Sequence, residues 1–362
     1  MRDYSFMLKS LELIFRRLVL QSLRKKNRSR LSQASITDLP TNPKILLLRQ
    51  DKIGDVIITT PTIRMLRQHF PDARIDIVLG SKNVAASSAV QHYVNTIWVY
   101  TKKTLGTIKL LNAIRVQNYD IIVDCLDNPS TTSRLIIRLT NSRYSVGLED
   151  SPSGFYTNSV AIPHKAITHV VERTAKLLTA FGINPKPSEL DLEYQIPAQY
   201  SNSAETALGQ KTKIRLGINI AAGWEKYWGR ENFIKLIEQI NSEEIEIIGF
   251  ANEEFQHELI AISAATKMTS APLVSNFDQF AALLSSADVI LTPDTSVVHL
   301  AAAWKTPCAV MYSGIVDNLM LWTPYRSAHR VLSTREQSLA VITPAEVLTS
   351  LNELIDLLPK HS

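Results

Sequence analysis

Three short runs combine residue types and spacings that could do chemistry. The first is Arg49-Gln50-Asp51-Lys52-Ile53-Gly54-Asp55. Gly54 permits a tight backbone path, and Asp55 sits where a helix should begin. A carboxylate held there, at the floor of a cleft, could take a proton from an attacking hydroxyl. Asp is also a preferred helix cap, so Asp55 or Asp51 could serve as one, and the two roles are compatible. The second run is Asn219-Ile220-Ala221-Ala222-Gly223-Trp224-Glu225-Lys226-Tyr227-Trp228-Gly229-Arg230. Ala222 and Gly223 let backbone amides approach an anion, and Lys226 supplies a point charge for a phosphate. The third is Leu291-Thr292-Pro293-Asp294-Thr295-Ser296-Val297-Val298-His299, leading into Leu300-Ala301-Ala302-Ala303. Thr295 and Ser296 open an Ala-rich helix whose free amides and dipole would favour an anion. His299 lies one turn in. Asp294 or Thr295 as a cap, with His299 as a packed core residue, accounts for the same letters.

All three runs leave apolar strands and open helices. Strand-like runs at 44–48, 74–79, 97–100 and 121–123 alternate with helical stretches at 56–69, 107–116 and 169–181. A seam at 183–212 carries Pro185, Pro187, Pro197 and a polar run. The alternation then restarts, with strands at 214–220, 245–248, 288–291 and 307–312 and helices at 231–240, 253–264, 277–285 and 297–304. Apolar strands alternating with helices predict an α/β protein with parallel sheets covered on both faces. The expected organisation is an arm over 1–40, one Rossmann-like domain over 41–200 and a second over 201–340. A helix over 341–362 has the N-terminal domain as a candidate packing partner. Open α/β sheets bind ligands at the carboxyl ends of their strands, so the three runs should line a cleft between the domains. Glu253 also follows a strand, the one at 245–248, and so stands at the same strand ends.

Composition narrows the classes. The 362 residues include 45% hydrophobic and 20% charged side chains, an ordinary globular balance. Cys125 and Cys308 stand alone in apolar runs, which argues against a disulfide framework or a cysteine zinc site and fits a reducing compartment. No G-x-G-x-x-G, P-loop, H-E-x-x-H or G-x-S-x-G pattern occurs. The net charge of +5 is uneven: residues 1–30 hold nine basic and two acidic side chains, a net +7, which leaves −2 for the rest. A basic body for nucleic acid is not supported. In the arm, Met7, Leu11, Ile14 and Leu18 share one helical face. No apolar stretch there approaches the ~20 residues of a membrane span. A basic amphipathic helix on an anionic membrane surface fits, as does a helix packed on the body. A signal peptide fits poorly, because Glu12, Arg16 and Arg17 interrupt its apolar core.

These runs resemble a known family. Ile45-Leu46-Leu47-Leu48-Arg49-x-Asp51-x-Ile53-Gly54-Asp55-Val56-x-x-Thr59-Thr60-Pro61 is similar to the opening signature of the heptosyltransferases, glycosyltransferase family 9. Thr292-Pro293-Asp294-Thr295-Ser296-x-x-His299-Leu300-Ala301-Ala302-Ala303-x-x-Thr306-Pro307 is similar to the second signature. Lys226-Tyr227-Trp228 resembles the diphosphate loop, and the runs at 169–173 and 322–324 also look familial. The resemblance implies the GT-B fold, two Rossmann-like domains facing each other across a cleft. It implies transfer of heptose, with inversion, from an ADP-linked donor to the inner core of lipopolysaccharide. Asp55 then matches the base, Lys226 the diphosphate lysine, and Asp294, Thr295, Ser296 and His299 the donor-binding helix start, with Glu253, after the strand at 245–248, as the place for a ribose contact.

The implied partners are the nucleotide-sugar donor, a lipopolysaccharide-core glycolipid and, through residues 1–30, a membrane surface. No nucleic acid, cofactor or metal is implied. The implied location is cytoplasmic, peripheral on the inner membrane. Three departures are visible. Ser296 stands where the family commonly has Gly, Ala222 stands where Ser or Thr is common, and Ser313-Gly314-Ile315-Val316-Asp317 replaces a Gly-Pro-Thr-Asp loop. A related glycosyltransferase with another donor or acceptor, and a non-transferring nucleotide-sugar enzyme such as an epimerase, are the alternatives.

Overall fold

The computed structural model describes residues 36, 38–127, 130–140, 142–150, 155–164, 167–314 and 319–359. The expectations for the basic arm, and for Ile315, Val316 and Asp317, lie outside them.

The first sheet contains β1 (Lys44–Arg49), β2 (Arg74–Gly80), β3 (Thr96–Tyr100), β4 (Ile121–Asp124), β5 (Tyr144–Glu149) and β6 (Asn158–Ala161), in the order β3-β2-β1-β4-β5-β6. The second contains β7 (Ile214–Asn219), β8 (Ile245–Phe250), β9 (Thr269–Ser270), β10 (Val289–Pro293), β11 (Cys308–Ser313) and β12 (His329–Thr334), in the order β12-β11-β10-β7-β8-β9. Every neighbouring pair is parallel. Read from opposite edges, the two sheets wind identically. Their switch points, where ligands collect in such sheets, lie between β1 and β4 and between β7 and β10. The central strands are buried along nearly their whole length, as sheets with helices on both faces require. This is the GT-B arrangement. β5, β6, β9 and β12 were not legible as apolar runs: β6 is Asn-Ser-Val-Ala, β9 has two residues, and β12 buries only Leu332.

The helical stretch expected at 56–69 divides into α1 (Ile53–Ile58) and α2 (Thr60–His69). Pro61 has no amide to offer the carbonyl of Ile57, and the Thr60 hydroxyl donates to that carbonyl instead, at 2.8 Å. α3 (Thr104–Val116) and α4 (Thr131–Thr140) pack on one face of the first sheet. α5 (Val170–Ala175) continues as a tighter turn to Gly182, whose φ of 77° ends it.

The seam is no loose linker. Leu190, Leu192 and Tyr194 are buried in a core cluster that draws on both halves. Arg64 of α2 donates to the carbonyl of Asp191 at 3.3 Å, and Trp304 donates to that of Tyr194 at 3.0 Å. α6 (Ser203–Leu208) follows. The second sheet is covered by α7 (Arg230–Gln239), α8 (Gln256–Ala265), α9 (Phe277–Leu284), α10 (Val297–Trp304) and α11 (Pro344–Ile355).

The expectation for the C-terminal helix needs correcting. α11 buries Val347, Leu351 and Leu354 with Trp228 against α7 and β10–β12, so its partner is the second domain and not the first. Burial of that apolar stripe, at ~25 cal/mol per Å², fixes the helix where the matching apolar surface lies.

Candidate active site

On the first domain, Arg49 ends β1 and is 2% exposed. Its Nε donates to the carbonyl of Asp55 at 2.9 Å, and its Nη1 donates to that of Cys125, just past β4, at 2.6 Å. It thereby ties both strands of the switch point to the start of α1. Its Nη2 lies 3.4 Å from Asp55 Oδ1, and its Nη1 lies 3.6 Å from Asp51 Oδ2. Burial opposes the Arg49 charge, but Asp51 and Asp55 raise its pKa above the ordinary value. Burial pushes the Asp51 carboxyl up to about 6 against the pull of Arg49, and the facing Asp55 adds to the rise.

Asp55 is the third residue of α1, and its Oδ2 accepts from the amide of Lys52 at 3.2 Å. It thus caps from inside the helix, with Lys52 in the N-cap position that Asp51 or Asp55 was expected to take. Asp55 remains 8% exposed at the cleft.

Asp124, at the end of β4, is a residue the sequence reading missed. It is fully buried, receives hydrogen bonds from Tyr156 Oη at 2.8 Å and Ser133 Oγ at 3.2 Å, and is raised by burial to about 7. Its place at a strand exit was the available signal.

On the second domain, Asn219 Nδ2 at the end of β7 donates to Thr292 Oγ1 at 3.0 Å, joining the two strands of that switch point. Lys226, on a short turn after Ala222 and Gly223, reaches Asp294 Oδ2 at 2.7 Å. Thr295 Oγ1 accepts from Val297 N at 3.3 Å. The amides of Thr295 and Ser296 donate to no acceptor among the described residues. They stand at the start of α10 beside the Lys226 cation, an arrangement suited to an anion. Glu253 is exposed at the first position of the turn after β8. No contact among the described residues joins it to Lys226 or Asp294.

The two rims touch through Gly54. A Cβ there would stand 2.6 Å from His299 Cδ2 and 3.6 Å from Ser296 Cα, so only hydrogen fits. His299 is buried; desolvation lowers its pKa to about 4 despite Asp55 and Asp294 nearby, and its Nδ1 has no hydrogen-bond partner among the described residues. Behind it the two familial runs at 169–173 and 322–324 meet. His169 Nδ1 accepts from Val171 N at 3.2 Å, so Nε2 carries the proton that it donates to the Thr323 carbonyl at 2.9 Å. Burial lowers this histidine also to about 4. Tyr325 Oη donates to Glu172 at 3.1 Å across the same junction. Asp55, Asp51, Arg49, Gly54, Ser296 and His299 therefore form one locus, and Lys226, Asp294 and Thr295 form its adjoining rim. Ala222 and Gly223 approach that rim only as the lead into the turn that carries Lys226.

A buried carboxylate on one domain thus lies across the Gly54–His299 contact from a cation and two amides without an acceptor among the described residues on the other, in a protein of two Rossmann-like domains. The chain belongs to glycosyltransferase family 9 (heptosyltransferase), whose family model matches residues 107–343. It is a glycosyltransferase, and its second-domain runs lie inside that match while the Arg49–Asp55 run lies ahead of it. Lipopolysaccharide heptosyltransferase 3 of Escherichia coli is 23% identical over 340 residues, covering 83% of this chain and 96% of that protein. Lipopolysaccharide core heptosyltransferase OpsX of Haemophilus influenzae is 22% identical, over 82% of this chain and 86% of its own. Among solved structures, a glycosyltransferase family 9 protein of Veillonella parvula superposes with a TM-score of 0.74 at 20% identity, over 90% of this chain and 99% of its own. The E. coli heptosyltransferase WaaC with ADP gives 0.70 at 18% identity, over 86% and 99%. These likenesses carry the fold.

Proposed function

We propose that this enzyme transfers heptose from ADP-L-glycero-D-manno-heptose to a sugar of the lipopolysaccharide inner core, with inversion, using Asp55 as general base. The observation that carries the reading is the opposition of Asp55 to Lys226 and the open amides of Thr295 and Ser296 across the Gly54–His299 contact. Asp55 Oδ accepts the proton of an acceptor hydroxyl. The oxygen forms its bond to the anomeric carbon as the bond from that carbon to the diphosphate breaks on the opposite face. The ADP oxygen leaves with a negative charge. Lys226 exchanges Asp294 for the diphosphate, and the helix-start amides donate to it; such fixed donors stabilise charge as it develops. Arg49 holds Asp55 in place through its bonds to the Asp55 carbonyl and carboxylate.

Glu253 is assigned the ribose. The reading gives the leaving group's charge to protein groups, so transfer should persist in a chelator. Residues 1–30 would lie on the inner face of the membrane, where the acceptor resides. No helix among the described residues is long and apolar enough to cross a membrane.

The test is a donor screen against truncated lipopolysaccharide cores. Heptosylated product from ADP-heptose alone is expected. Product from another nucleotide sugar would replace the donor, and an altered donor formed without any acceptor would favour the epimerase class.

A further inference from the structure

Helix α3 is apolar on two faces. Leu110 and Ile114 are buried against Trp98, Tyr119 and Ile122, which fixes the inner face. On the outer face, Leu105 is 75%, Ile108 49% and Val116 74% exposed. A surface helix ordinarily turns charged and polar residues outward, and exposed apolar groups gathered on one face mark an interaction surface.

The surrounding charge is one-sided. No Asp or Glu occurs between Asp76 and Asp120, while Lys82, Lys102, Lys103, Lys109 and Arg115 do, all of them exposed. On the neighbouring α4, Leu139 is 43% exposed, beside the partly exposed Arg138.

The position matters too. β3 runs parallel to β1, two strands away, so its carboxyl end opens on the same edge as Asp55 and lies ~10 Å to the side. Lys102, Lys103 and Leu105 follow that end directly.

We infer that the outer face of α3 seats on an anionic lipid bilayer. Leu105, Ile108 and Val116 would enter the headgroup boundary, while the lysines and Arg115 contact acidic headgroups. The first domain then rests beside the membrane with its strand ends, and so the cleft, near the lipid surface from which a lipid-anchored acceptor rises. The inference rests on the acceptor being lipid-anchored only for its purpose; the binding itself needs no sugar, so its failure and that of the heptose reading are separable.

The test uses the full chain with Leu105→Cys carrying an environment-sensitive fluorophore; Cys125 and Cys308 are buried and stay unlabelled. With vesicles containing phosphatidylglycerol, a blue shift at position 105 is expected, weak or absent with phosphatidylcholine alone. A second probe at Val331, on the far edge of the second sheet, should not shift. The quadruple variant Lys102→Gln, Lys103→Gln, Lys109→Gln, Arg115→Gln should lower partition onto the anionic vesicles at least tenfold, even with the basic arm intact. No shift at 105 while the protein sediments with the vesicles would overturn the inference and leave binding to the arm. So would a protein dimeric in solution that Leu105→Ser with Val116→Ser renders monomeric, with vesicle partition unchanged; the face would then join two copies.

Discussion

The two halves wind their strands in the same order, yet two helices that open at their switch points, α1 after β1 and α10 after β10, begin in opposite ways. At α1 the helix start is filled by its own carboxylate, with Asp55 accepting from the Lys52 amide and Arg49 behind it. At α10 the start is left open: among the described residues the amides of Thr295 and Ser296 have no acceptor, while Lys226 reaches Asp294. In the proposed mechanism the occupied helix start holds the base, whereas the open one receives the anion. One fold used twice thus yields a proton acceptor and an anion receiver by the choice of a few loop residues.

The largest effect should come from Asp55→Asn, which removes the proposed base and keeps the shape. Turnover should fall by about 10²–10⁴ in a transfer assay at saturating donor; a loss under tenfold would leave the proton to another group. Lys226→Gln should weaken ADP binding by about 10- to 100-fold, the worth of a charge-assisted contact, measured by calorimetry. Unchanged affinity would remove it from the anion side.

Gly54→Ala places a methyl against His299 Cδ2 at 2.6 Å. The rims should separate at a cost of about 1–3 kcal/mol, seen as a lowered thermal midpoint and a raised KM for both substrates. His299→Ala in the same chain should relieve most of that loss, and additivity of the two would deny the contact.

Arg49→Gln leaves Asp51 and Asp55 facing each other without their cation. Without the pull of Arg49 the Asp51 carboxyl should titrate still higher than its present value of about 6, read by carboxylate NMR, and an unmoved Asp51 would show that Arg49 does not hold this carboxylate down.

The last effect is on pH-dependent stability and leaves turnover aside. His169 has its pKa lowered to about 4 by burial, against ~6.5 unfolded. Its contribution is therefore complete above pH 6.5 and is lost as pH falls from there through about 4. The stability advantage of the wild type over His169→Gln should shrink across that window by up to about 3 kcal/mol, read from denaturant melts. A constant difference would mean that this histidine does not titrate with folding. Asp51 and Asp124, both raised, act in the opposite sense within the same window, which is why the difference between the two proteins is the quantity to measure.

Much of this division was legible in the sequence. The strands that bear the loops are continuous apolar runs, and the helices that open after them carry Gly54, Asp55, Thr295 and Ser296 at their starts. Edge elements were illegible because β6, β9 and β12 are short or half-exposed and bury too little to leave a period. Asp124 was illegible because one buried carboxylate after a strand looks like any other until its tyrosine and serine partners, 32 and 9 residues away, are in place. The meeting of His169 with Thr323 spans 154 residues, and no local pattern announces a contact of that range. The C-terminal helix was legible as a helix, but its partner depends on which surface supplies the complement to Val347, Leu351 and Leu354.

The central claim is that proton removal and donor binding reside in separate halves. Its most direct test is to titrate ADP into the Asp55→Asn protein while measuring that protein's turnover. ADP affinity within twofold of the wild type, with turnover down at least a hundredfold, is the predicted result. Affinity and turnover falling together, or turnover retained, would contradict it.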